Sequence, residues 1–359
     1  MKRIGFSLAG EGRGHAARVV ALSQVLRERY DIVYFCPEPA RDFIVRHIPD
    51  ATIEPVPALM FVKTGHGIDY LRTMMTTIRQ FRSRKRDIAH LAGRIRELEV
   101  SVLISDFEPY ASWAAARCDV PILNLNHPGV ILKFLSISPA VWLAQGVATL
   151  MMPPAQKTVI CSFYRGDVGP IIRDGLRRGA RGRGNYYLVY VKESSRDRVQ
   201  AVLDRFPDQR FRVFPDAASD FTSALLGCRG VIAPAGHQLL SESLFLGKPV
   251  LAIPQLGHFE QRLNARMLRH SGRGRRGRIR TLEKDLSRFI GEIDSYPRAI
   301  AGLEPYCFAD DTMRAVSLIE EFIREQRRLR VLPRQQYNWF LTIPEKLEAR
   351  RAISTRRPA

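Results

Sequence analysis

Two series of strand-like runs alternate with helical patterns, and one glycine- and arginine-rich stretch divides them. In the first half, apolar runs at 2–9, 31–37, 52–57, 101–106 and 121–126 read as strands, and helical spacing recurs at about 15–29, 68–98 and 109–118. The second half repeats the scheme. Strand-like runs lie at 186–191, 211–215, 230–234 and 249–254, and helical stretches at about 196–206, 219–227, 237–246 and 258–270. Strands that alternate with helices pair in parallel, because a parallel neighbour is reached only through a crossover. The expected fold is therefore α/β: two doubly wound, Rossmann-like parallel-sheet domains facing each other across a cleft. Residues 1–165 would form the first domain, 166–185 a basic linker, 186–325 the second domain and 326–359 a basic tail. Ligands of such sheets sit beyond the carboxyl ends of the strands, which places a site in the cleft.

The 359 residues suffice for two domains, each with its own core. Five cysteines (Cys36, Cys118, Cys161, Cys228, Cys307) are scattered and odd in number, without a Cys-x-x-Cys pair. That usage fits a reduced, cytoplasmic protein without a structural zinc site. The apolar run after Met1 is short and soon meets Glu11, so it reads as a first strand rather than a signal peptide. The net charge of +20 predicts attraction to something anionic: nucleic acid, an acidic membrane or phosphorylated small molecules. Arginine clusters at 173–183, 269–280 and 327–357 carry much of it, and plain solvated surface is the alternative for each. Basic residues are not interleaved with aromatic ones in a reading platform, so no specific nucleic acid is expected.

Residues 134–156 carry no charge and are long enough to cross a bilayer. Ser136, Ser138, Pro139 and Gln145 interrupt them, and a span here would put the two sheet domains on opposite sides of the membrane. A buried helix is expected, with an apolar patch docking on a membrane or greasy acceptor as the alternative.

Two places join polar side chains to strand ends. "GFSLAGEGRGHAAR" (5–18) closes the first strand with a glycine-rich loop and His15, and "SVLISD" ends in Asp106. Both residues fall at the same rim of the first sheet. A carboxylate on one imidazole nitrogen fixes the tautomer and stabilises the imidazolium formed when the other nitrogen takes a proton. His15 is then a candidate general base and Asp106 its partner; a capping histidine and a helix-starting aspartate are the alternative. The second place is "APAGHQLLSESLFLGKPVLAIPQLGHFEQRLNARML" (233–268). Gly236 and His237 open a helix whose free N–H groups and positive dipole end suit a phosphate. Glu242 suits a ribose diol. Glu260 and Gln261, after the next strand, suit sugar hydroxyls; caps and surface residues of an α/β repeat are the alternative for the set.

In that order the second set resembles the donor-binding motif of GT-B glycosyltransferases of the family 28 and glucuronosyltransferase-like groups. It has Gly236, Glu242, Gly247, Pro249, Pro254, Glu260–Gln261 and Asn264–Ala265. The opening loop and "LISDFEPYASWAAARCDVPILNLNH" (103–127) resemble the same group, most nearly a bacterial and archaeal branch, and the likeness covers about 1–325. It implies a GT-B fold, with His15 and Asp106 as the catalytic pair. On the donor side it implies Gly236, His237, Gln238, Glu242, Glu260, Gln261, Phe214 and Ser194. On the acceptor-side loop it implies Gly12, Gly14, Arg18, Glu108 and His127. Pro234 stands where the plant-type motif has a histidine. The implied reaction is inverting, metal-independent sugar transfer from a nucleotide-diphosphate sugar, preferably a UDP-sugar, to a hydroxyl acceptor, with no other cofactor. The basic stretch 72–98 and the uncharged stretch 134–156 favour a lipid-linked or anionic acceptor, at the inner face of the plasma membrane. A nucleotide-sugar hydrolase or 2-epimerase on the same fold is the nearest rival, and a basic nucleic-acid-binding protein the rival of another class.

Overall fold

The computed structural model describes residues 1–10, 13–59, 61–64, 67–83, 85–135, 138–216, 218–297 and 304–328. The first half runs β1 (Lys2–Leu8), α1 (Gly14–Leu26), β2 (Tyr30–Cys36), α2 (Glu38–His47) and β3 (Thr52–Pro55). A short antiparallel pair, β4 (Lys63–Thr64) and β5 (Gly67–Ile68), precedes α3 (Tyr70–Ser83) and α4 (Lys85–Glu97). Then come β6 (Leu103–Asp106), α5 (Pro109–Arg117), β7 (Ile122–Asn126), α6 (Pro139–Met151) and β8 (Lys157–Ile160). The second half runs α7 (Asp174–Arg178), β9 (Tyr186–Tyr190), α8 (Arg196–Leu203), β10 (Arg210–Phe214), α9 (Phe221–Gly227) and β11 (Gly230–Ala233). It continues with α10 (His237–Phe245), β12 (Val250–Ala252), α11 (Phe259–His270), β13 (Gly274–Arg276), α12 (Leu282–Gly291) and α13 (Thr312–Arg328).

The two principal sheets are parallel throughout, ordered β3-β2-β1-β6-β7-β8 and β10-β9-β11-β12-β13. The central strands are buried on both faces, as sheets covered by helices on either side require; β1, for example, buries Ile4, Gly5, Phe6, Ser7 and Leu8, whereas the edge strands carry polar residues. Strand order reverses between β1 and β6 in one sheet and between β9 and β11 in the other. Crevices open at such switch points. Leu8 and Asp106 are register partners there.

Helix α13 crosses the expected domain division. Its Ala315, Val316, Ile319, Phe322 and Ile323 pack with Ile4, Val19 and Leu22 in the first domain's core, not the second's. The stretch expected as a linker is also built into the fold, with Ile171, Ile172 and Leu176 buried. A core continuous between the halves joins Val130, Phe163 and Tyr164 to Phe214, Ala235 and Leu240. The uncharged stretch supplies the 13-residue α6, with Val141, Ala144, Val147, Ala148 and Met151 buried. Among the described residues, no helix is long and apolar enough to cross a membrane.

Candidate active site

The N-termini of α1 and α10 meet across the cleft. A Cβ placed on Gly14 would stand 3.3 Å from Cβ of Gln238, so a small residue suits this approach of the two halves. A cavity of about 480 Å3 opens beside them, lined by His15, Arg18, Gly236, His237, Glu242 and Glu260 among others.

His15 sits in the first turn of α1, and its Nδ1 lies 2.9 Å from Asp106 Oδ1 at the end of β6. Arg18, one turn along α1, donates from Nε to Oδ2 at 2.9 Å and from Nη2 to Oδ1 at 2.8 Å. Burial opposes ionisation of Asp106, yet Arg18 and His15 hold its carboxyl below the ordinary range. An ionised carboxylate can only accept, so the proton between Asp106 and His15 lies on Nδ1, from which Arg18 Nη2 also stands 3.2 Å. The Phe107 ring stacks at 6.3 Å on the imidazole, and its backbone is left-handed at φ 62°. Such strain in a non-glycine residue is characteristic of functional turns.

On the facing side, Gly236 is the N-cap of α10, and no side chain caps that end among the described residues. The His237 Nε2 accepts the Phe163 N–H at 3.2 Å and lies 3.1 Å from Ser241 Oγ. The proton is thus on Nδ1, which is buried and has no hydrogen-bond partner among the described residues. Burial first, then His127, Arg18 and His15, keep His237 uncharged. Its ring stacks on His127 at 3.6 Å. The His127 Nε2 lies 2.9 Å from Asn264 Oδ1, and Nδ1 lies 3.2 Å from the Cys161 carbonyl. His127 thus joins the two halves.

Glu242 is buried and already engaged. Arg173 forks its carboxylate, Nε to Oε1 at 2.7 Å and Nη2 to Oε2 at 2.8 Å, and Gln238 donates to Oε1 at 3.0 Å. Glu260 lies at the start of α11, and the Gln261 Oε1 accepts the Gln255 N–H at 3.0 Å. Phe214 lines the same cleft at the end of β10, whereas Ser194 lines an adjoining cavity of about 330 Å3 above β9, β11 and β12. Gly12 lies outside the described residues.

Glu108 does not join the acceptor side. It caps α5, accepting the Tyr110 and Ala111 N–H groups at 2.7 and 2.8 Å, and is absent from the cleft lining. A smaller apolar cavity of about 50 Å3 lies next to His15 and Glu260, walled by Leu59, Phe61, Phe107, Val147 and Met151. Sequence reasoning missed Arg173, Arg46, His47 and Tyr190, which all line the cleft. Only Arg173 carried a signal, the density of arginines around it.

Two parallel-sheet, Rossmann-like domains with a cleft at both switch points are the arrangement of the GT-B fold. The family model of glycosyl transferase family 1 matches residues 2–293, and the chain belongs to that family. An uncharacterized glycosyltransferase of Methanosarcina mazei is 22% identical over 327 residues, 75% of this chain and 83% of that protein. Among solved structures, a UDP-glucosyltransferase from Polygonum tinctorium has a TM-score of 0.61 at 15% identity, covering 90% of this chain and 98% of the other. The glycosyltransferase of kitacinnamycin has a TM-score of 0.58 at 16% identity, covering 90% and 99%. MurG of Acinetobacter baumannii has a TM-score of 0.52 at 14% identity, covering 89% and 100%.

Proposed function

We propose that this glycosyltransferase moves a sugar from a UDP-sugar to a hydroxyl acceptor with inversion and without a metal ion. The observation that carries the reading is the His15–Asp106 pair at one switch point facing the uncapped start of α10 at the other. His15 Nε2 takes the acceptor proton, the oxygen attacks the anomeric carbon from the face opposite the nucleotide, and the diphosphate leaves. The α10 dipole and the unpartnered His237 Nδ1–H stabilise the charge on the leaving group. Glu242 reads the ribose, and Glu260 and Gln261 read the sugar.

The apolar side chains beside His15, Leu59, Phe61, Phe107, Val147 and Met151, offer a surface for a greasy part of the acceptor. Leu71, Met75 and Ile78 form an exposed stripe along α3, and Leu135 and Trp142 are exposed near α6. Arg72 and Arg79 flank the stripe. These surfaces support a lipid-linked acceptor and peripheral action at the inner face of the plasma membrane.

Calorimetry with uridine, thymidine and guanosine diphosphates at low and moderate salt tests the donor. Preference for the uridine compound that survives salt is expected; equal binding that vanishes with salt would reduce the cleft to arginines reading phosphate. Product analysis with and without an added alcohol separates transfer from hydrolysis or epimerisation. Release of free sugar at an unchanged rate in both conditions would overturn the transfer reading.

A further inference from the structure

The carboxylate placed to grip a ribose is not open to one. Arg173 and Gln238 together occupy both Oε1 directions and one Oε2 direction of Glu242, which leaves a single acceptor position for two hydroxyls. The Arg173 side chain is 15% exposed and that of Glu242 2%, so neither partner can be left bare without loss. Gln238 is itself tied to the Ile171 carbonyl at 2.9 Å. Arg173 has a softer further contact, with the Phe221 ring 5.9 Å from its guanidinium carbon. It stands at the N-cap of the short α7 and lines the same cleft as Gly236 and His237, where a diphosphate would lie.

We infer that Arg173 makes this site read ribose and diphosphate as a unit: it closes the Glu242 carboxylate until a diphosphate draws the guanidinium away. The inference rests on α10 being the nucleotide-binding helix. A nucleoside alone offers two hydroxyls to Glu242 but no anion to the displaced Arg173. A free diphosphate offers the anion but leaves Glu242 bare. Only the joined ligand satisfies both ends of the broken pair. Arg173 is thereby a specificity-determining residue that rejects nucleosides and favours nucleoside diphosphates.

The test is calorimetry of the full chain with uridine and with uridine diphosphate. In Arg173→Gln, uridine should bind about tenfold more tightly, because Glu242 is free, and uridine diphosphate about tenfold more weakly. Arg173→Lys keeps the cation without the fork, so uridine should still gain while uridine diphosphate loses less. Parallel loss of both ligands, or no change in either, would mean that the pair only braces the fold. The wild type offers a second reading without substitution. Saturating inorganic pyrophosphate should raise uridine affinity about tenfold, since it draws Arg173 off; unchanged or weakened uridine binding overturns the coupling. A wild type that binds none of uridine, thymidine and guanosine diphosphates defeats the donor reading itself, and the inference with it.

Discussion

Asp106 serves His15 and Arg18 at once, and each needs it for a different reason. For His15 it fixes the tautomer; for Arg18, buried beside it, it supplies the countercharge. The two roles separate by substitution. His15→Ala should lower transfer about 10²–10⁴-fold and leave donor affinity and stability nearly unchanged. Asp106→Asn should lower the rate as well, but also strand a buried guanidinium, at a cost of about 3–5 kcal/mol. Initial rates, donor calorimetry and urea unfolding read the three quantities. Wild-type turnover in His15→Ala, or full stability in Asp106→Asn, would break the assignment. His15 and Asp106 were legible in the sequence because Asp106 ends one strand pattern, His15 follows the loop that leaves another, and strand ends in one parallel sheet share a rim. Arg173 was not. It lies in a glycine- and arginine-rich run without period, and its partner is 69 residues away.

Two strands that escaped the sequence share a physical cause. Strand β13 is three residues long and reads Gly-Arg-Arg, a charged edge with no apolar run to betray it. Strand β8 opens with Lys157 and Thr158 and buries only its last two residues. Helix α13 is different: Ala315, Val316, Ile319, Phe322 and Ile323 follow helical spacing, so its existence could have been read. Its destination could not, because nothing local says that a helix at this point returns to the first domain. That return gives a test. Phe322→Ala should destabilise the first domain by about 3–5 kcal/mol, as loss of a fully buried ring does. Denaturant unfolding measures it. A cost under about 1 kcal/mol would mean that α13 is only loosely seated.

The cleft is held together partly by two uncharged imidazoles, and this gives the molecule a predictable response to acid. His127 from the first half and His237 from the second lie ring on ring, 13° from parallel. Burial pushes His127 from its ordinary 6.5 down to about 4, against the opposing pull of Glu260, whose Oε1 is 3.9 Å from Nε2. Burial also holds His237 well below its ordinary value, with His127, Arg18 and His15 adding to the effect. In the unfolded chain both rings return to about 6.5. Between pH 6.5 and about 4 the unfolded state therefore binds more protons than the folded state. Stability rises with pH wherever that holds, so it must fall as the solution is acidified through this window. A proton on either ring also sets a cation against its stacked neighbour, across the contact that joins the halves. Thermal unfolding from pH 7 to pH 4 should show the midpoint falling by about 2–4 °C for each kcal/mol lost. The double variant His127→Gln, His237→Gln removes both titrating groups while keeping amide hydrogen-bonding capacity. Its midpoint should fall less steeply over the same range, whatever its stability at neutral pH. An identical slope in the two proteins would place the acid sensitivity in other groups and leave the histidine stack as a packing contact alone.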